Sequence, residues 1–271
     1  MQKKYQKTAG TSLKAGLIYN AFLGLFSAGM FLVINKFEIN VSLFSLLMAS
    51  IFSIVLMLYV VIGFRIMEKG NMSLYTLFLM SGGMTVPYIW GVLFLNEEIT
   101  IIRTIGLAVI IVAMVISNSG VRRPNKKQLM LCLVVFLLNG ISSVVSKMHQ
   151  INPVSETVTS SDFVFITAVL KAVICSVIMI AGRRKLSKNP IRIELRKVIP
   201  IILLAAAVDG VSFTLQLIGA SNLPATVLYP LVTGGSLMLT SLVGVIVFKE
   251  KLSTRQWVGI AVCLVGTLLF L

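Results

Sequence analysis

The chain has 271 residues, 57% of them hydrophobic and 12% charged, with a mean hydropathy of +0.98; soluble domains carry about 25% charge. Its 24 Lys and Arg against 9 Asp and Glu give a net charge of +15, but no basic platform interleaved with aromatics accompanies it, so nucleic-acid binding is excluded as a reading. The apolar residues fall in runs of about twenty, long enough at about 1.5 Å per residue to cross a bilayer, and most runs lack the polar face that a soluble bundle needs.

Nine hydrophobic segments follow in chain order, at about 13–34, 40–63, 73–95, 99–117, 128–147, 162–181, 198–219, 224–248 and 254–271. Backbone inside hydrocarbon has to satisfy its own hydrogen bonds, so each is expected to be a helix. The fold class is therefore all-α, a polytopic transmembrane bundle of about nine helices. The N-terminal stretch is not followed by a small-residue cleavage site, and no secretory signal is read there. The connectors are short, the longest being 117–128, 149–161 and 182–197, and none could hold a folded domain.

Apart from Lys36, Arg103, Lys147 and the mid-segment Lys171, every Lys and Arg falls on one side when the connectors are assigned alternately. Lys and Arg resist translocation, so that side is the cytoplasm. The N-terminus is then inside and, after nine crossings, the C-terminus outside, with the cell (plasma) membrane as the expected location.

Cys132, Cys175 and Cys263 each sit within an apolar run and read as small membrane residues, not as a disulfide or metal framework. His149, the only His, falls in a connector, which leaves no multi-histidine metal site. No nucleophile–base pair, phosphate-binding loop or dinucleotide fingerprint is present. The chain is read as non-enzymatic and without a cofactor, and the missing phosphate-binding loop argues against ATP as the energy source.

Residues 71–116 align without a gap to a stretch beginning at Pro224. A constant offset of 153 pairs Gly82 with Gly235, Gly91 with Gly244, Glu97 with Glu250, Thr100 with Ser253, Gly106 with Gly259 and Ala108 with Ala261. Small residues let membrane helices approach closely where no hydrophobic force drives them together. The Glu-x-x-Thr/Ser stretch stands where a helix begins, so its side chains can cap free N–H groups.

The residues from Phe248 to Gly266, with a weaker copy from Asn96 to Ala113, resemble EamA-type transporters of the drug/metabolite transporter superfamily. Leu228-Tyr229-Pro230 also fits that family's proline in the fourth helix of each repeat; Pro87 does not align with it. The resemblance implies two inverted repeats of five helices, here 1–121 with four helices and 122–271 with five. Residues 3–6 stand where the tail of the absent first helix would fall. The family is usually drawn with both termini in the cytoplasm, and the charge count places the C-terminus outside.

Lys171 and Asp209 stand about ten residues into their segments, near mid-membrane, where an isolated charge costs several kcal/mol. They either recognise a charged or zwitterionic solute, with Asp209 able to exchange a proton, or form a neutralising pair that fixes helix packing. The resemblance adds that a basic residue is common in the second helix of a repeat, Asn20 being the neutral equivalent of Lys171. Tyr19, Asn20, Asn139, Ser142, Ser143, Ser212, Gln216, Tyr229 and Thr233 either line a cavity or bond helix to helix. The expected function is a secondary carrier or exporter of a small organic metabolite or drug-like solute by alternating access, with a proton or sodium ion coupled. The alternative is a non-transporting membrane scaffold, or a partner subunit in lipid-carrier flipping. The bilayer is the certain partner, and the oligomeric state stays open.

Overall fold

A computed structural model describes residues 5, 12–67, 72–117, 125–153, 155–182, 195–246, 249 and 252–270. Glu250 and most of the basic runs near residues 1–7, 122–124 and 183–192 lie outside the described residues. Among the described residues there are nine helices and no strands: α1 (Leu13–Ile34), α2 (Leu43–Met67), α3 (Met72–Phe94), α4 (Ile101–Ser117), α5 (Lys126–Ile151), α6 (Ser160–Ala181), α7 (Leu195–Asn222), α8 (Ala225–Ile246) and α9 (Thr254–Leu268). Seven of them are long and apolar enough to cross a membrane; α4 and α9 have 17 and 15 residues. The protein is a polytopic all-α membrane protein.

Local chemistry sets the helix ends. Ser12 accepts from the Ala15 N–H, Thr159 accepts from the Asp162 N–H, and Ser253 and Gln256 form a reciprocal capping box at the start of α9. Pro87 and Pro230 lie inside α3 and α8, which membrane helices tolerate where neighbouring groups re-satisfy the backbone. One boundary corrects the sequence reading. α5 continues to Ile151, so His149 is a helical residue and not a connector residue. Hydropathy ends that segment at 147 because its last turn is polar, but the polar side chains there find partners and the helix persists.

The helices form two compact units, Met1–Glu68 with Val145–Ser221 (unit 1) and Lys69–Val144 with Asn222–Leu271 (unit 2). Each unit draws on both sequence halves. In unit 1, α1 and α2 both pack on α6. A Cβ on Gly24 of α1 would stand 2.7 Å from the Ala168 carbonyl oxygen, so the two backbones meet there because the residue is glycine. Tyr5, Tyr19 and Leu23 pack with Val198, Ile202 and Ala206 of α7. A second cluster joins Phe31, Ala49, Phe163 and Leu217, with the Phe52 and Phe213 rings stacked 5.1 Å apart beside it.

In unit 2, α3 packs on α8, α4 on α9, and α8 on α9. A Cβ on Gly106 would lie 3.0 Å from the Gly266 carbonyl oxygen, and one on Gly259 would lie 3.0 Å from that of Ala113. These contacts make α4 and α9 antiparallel. Under the offset of 153, Gly106 maps to Gly259 and Ala113 to Gly266, so the two contacts are images of each other, as a two-fold relation produces. Asn96 and Lys249, also 153 apart, share a left-handed backbone at φ 51°.

Candidate functional site

Unit 1 brings together the two charges that the sequence singles out. The Lys171 ammonium, near the middle of α6, donates to Asp209 Oδ2 of α7 at 3.4 Å. The partners are unequally covered: the Lys171 side chain is 16% exposed and that of Asp209 is 56% exposed. Among the described residues every other acidic residue lies at a helix end or in a connector. Among the described residues the mid-helix cation Lys171 therefore meets the mid-helix anion Asp209, which lowers the cost of holding the ammonium at that depth.

On α7 the exposed residues Leu204, Val208, Val211, Leu215 and Ile218 recur at helical spacing and form an apolar stripe. Asp209, Ser212 and Gln216 share a different, polar face of that helix. Tyr19 of α1 packs with Ile202 and Ala206 of α7, and Cys175 stands one turn beyond Lys171 on α6. The Cys175 thiol donates to Met57 Sδ of α2 at 3.3 Å. Asn20, on the same helix as Tyr19, donates to the Gly16 carbonyl at 2.9 Å. Tyr5 supports this wall: its ring centroid is 4.8 Å from that of Tyr19, and its hydroxyl donates to the Ala15 carbonyl at 2.8 Å. Burial pushes the Tyr5 hydroxyl up to about 12, so it remains a donor at neutral pH.

The other candidates belong to unit 2. Asn139 of α5 donates to the Leu79 carbonyl of α3 at 2.7 Å, and the backbone carbonyl of Asn139 accepts from Ser142 and Ser143. Tyr229 of α8 is buried and donates to the Ser143 carbonyl at 2.6 Å. Asn139 and Tyr229 thus bond helix to helix, whereas the Ser142 and Ser143 hydroxyls bond within α5. Thr233 is half-buried on α8, and its carbonyl accepts from Ser236.

Three arrangements escaped the sequence reading. Glu97 caps α8, a helix distant in sequence: its two carboxylate oxygens accept from the Ala225 and Thr226 N–H groups at 2.7 and 2.8 Å. Lys147, counted as a connector cation, is buried in α5 and donates to the Ala220 carbonyl at the end of α7 at 2.6 Å. His149 is fully buried, with Nε2 2.8 Å from Ser45 Oγ and its ring stacked 4.0 Å from Phe163. The repeat register is the one signal that could have revealed the first. Nothing local in sequence announces the other two, because their partners lie on other helices.

Comparison with known proteins decides the class. The sequence profile of the EamA-like transporter family matches residues 126–271, more than half of the chain. The chain belongs to the EamA-like transporter family. No curated protein matches it in sequence. A solved structure, described only as the crystal structure of a protein, superposes on this EamA-like chain with a TM-score of 0.72 at 12% identity, covering 93% of this chain and 87% of the other; at that identity the likeness concerns the fold alone. The EamA-like match and the membrane-helical fold make this chain a membrane transporter.

Proposed function

We propose that this EamA-like protein is a secondary carrier of a small charged organic solute, working by alternating access, and that Lys171 and Asp209 recognise the solute. The pairing of a mid-helix cation and anion, with the anion more than half exposed, carries this reading. A pair present only to fix packing gains nothing from leaving its carboxylate open on a polar helix face, where water screens the attraction. A solute reaching mid-membrane meets that carboxylate directly.

The inverted-repeat reading, 1–121 against 122–271, draws support from the mirrored α4–α9 contacts and the matched left-handed residues. A two-fold of that kind lets one sequence design present similar gates to both membrane faces. A proton or sodium ion supplies the drive. The charge bias puts the N-terminus in the cytoplasm and the C-terminus outside; a C-terminal reporter active only in the cytoplasm contradicts that orientation.

Reconstituted vesicles test the site. Solute flux is expected to fall at least tenfold in Lys171→Ala and in Asp209→Asn and to persist in Tyr229→Phe. Full flux in both charge variants reduces the pair to a packing device.

A further inference from the structure

Resting on the alternating-access reading above, we infer that α5 is a hinge helix: the two units change orientation by bending it between Asn139 and Lys147, where side-chain donors stand ready to replace the helix's own hydrogen bonds. The chain passes from one unit to the other at Glu68/Lys69, at Val144/Val145 and at Ser221/Asn222. The first passage follows the end of α2 and the third falls at the last residue of α7, whereas the second lies inside α5, which runs unbroken from Lys126 to Ile151. A continuous helix shared by two bodies has to bend when those bodies rotate against each other. Each side of the passage is fastened to its own unit. Before it, Asn139 donates to the Leu79 carbonyl at 2.7 Å and Gly140 makes room for Val86, both on α3 of unit 2. After it, Lys147 donates to the Ala220 carbonyl of α7 at 2.6 Å, and His149 Nε2 stands 2.8 Å from Ser45 Oγ of α2, all in unit 1. Bending is thereby confined to about two turns of helix.

Opening a helix in hydrocarbon is costly because a released carbonyl finds no water there. Bends therefore fall where glycine or serine weakens the ladder, or where a side chain enters it. Gly140, Ser142, Ser143 and the Tyr229 hydroxyl bring all of these to one place. The Asn139 carbonyl, which in an α-helix accepts from the Ser143 N–H, also accepts from the Ser142 hydroxyl at 2.7 Å and the Ser143 hydroxyl at 3.2 Å. One turn on, the Ser143 carbonyl accepts from Tyr229 of α8 at 2.6 Å in addition to its helical partner. Both carbonyls keep a donor when their helical bonds lengthen. Hydroxyls bonded back into the ladder are known to bend helices. Single bonds of this kind recur at Ser50, Ser176 and Ser241, on helices that stay within one unit. The set of three donors falls on the helix that changes unit.

Pulsed electron resonance on the purified full chain in nanodiscs tests the hinge through distances between nitroxide pairs, in a parent whose buried Cys132, Cys175 and Cys263 are exchanged for alanine. Labels at the exposed positions Val173 of α6 and Leu239 of α8 report between units, and labels at Ile105 of α4 and Leu239 report within unit 2 as a control. The inter-unit distribution of the parent is expected to be at least about twice as wide as the control. Ser142→Ala combined with Ser143→Ala removes two of the three donors; it should narrow the distribution to about the control width and slow solute flux about fivefold. Tyr229→Phe removes one donor and should narrow it less, with flux persisting. Adding Val145→Gly to the double-alanine chain loosens the same turn by another route and should restore the width. A parent distribution no wider than the control, a double-alanine chain that keeps full width, or a glycine variant that does not regain it each overturns the hinge. The distances need no solute, so the two readings fail separately. Full flux in the Lys171 and Asp209 variants leaves the hinge standing, and a narrow parent distribution with flux intact removes the hinge and leaves the carrier.

Discussion

The two compact units are assembled from similar apolar helices taken from both sequence halves, yet they use polar residues in opposite ways. Unit 1 carries a full ion pair in mid-helix, with one partner open. Unit 2 holds its polar atoms in neutral helix-to-helix bonds, through Asn139, Ser143 and Tyr229, and closes its helices on glycine. Charges at that depth are costly enough to be kept for a task, whereas an amide or hydroxyl bonded to a carbonyl contributes modest packing energy. The mid-helix ion pair belongs to unit 1, and the seam of Asn139 and Tyr229 belongs to unit 2.

Substitutions that separate stability from activity can break this comparison. The largest effect is expected for Gly82→Val. A Cβ at Gly82 runs into the backbone of Phe136, which cannot swing aside as a side chain could, so unit 2 should lose about 3 kcal/mol or more. A thermal-unfolding midpoint equal to that of the wild type contradicts the close α3–α5 approach. Asp209→Asn should do the reverse. Flux falls at least tenfold, while the unfolding midpoint drops by less than for Gly82→Val, because water already screens the exposed carboxylate from Lys171. A large loss of stability here makes unit 1 a scaffold as well.

Glu97→Gln is expected to cost about 1–2 kcal/mol, since a charged cap with two N–H donors becomes a neutral one. Unfolding reports this, and solute flux should not change. Tyr229→Phe should be the mildest, at about 0.5–1 kcal/mol for one interhelical hydrogen bond. If it abolishes flux instead, the neutral seam of unit 2 belongs to the functional machinery and the contrast between the units fails.

Much of this protein was legible in one dimension. Hydropathy found all nine helices, because a membrane span is a local property of about twenty consecutive residues. The offset of 153 was equally visible, and the mirrored contacts of Gly106 and Gly259 gave it a physical meaning. Lys171 and Asp209 stood out in the sequence since a charge within an apolar run is conspicuous whatever surrounds it.

Pairing was not legible. Only the tertiary structure decided that Lys171 meets Asp209, that Glu97 closes the start of α8, and that Lys147 and His149 are buried polar residues and not connector residues. Sequence alone determined membrane insertion, the nine apolar helices of the described residues and the presence of two costly charges, because desolvation acts on each residue separately. Which groups share those costs depends on distances across helices more than 30 residues apart in the chain. Packing sets those distances, and it also set the unequal exposure of Lys171 and Asp209.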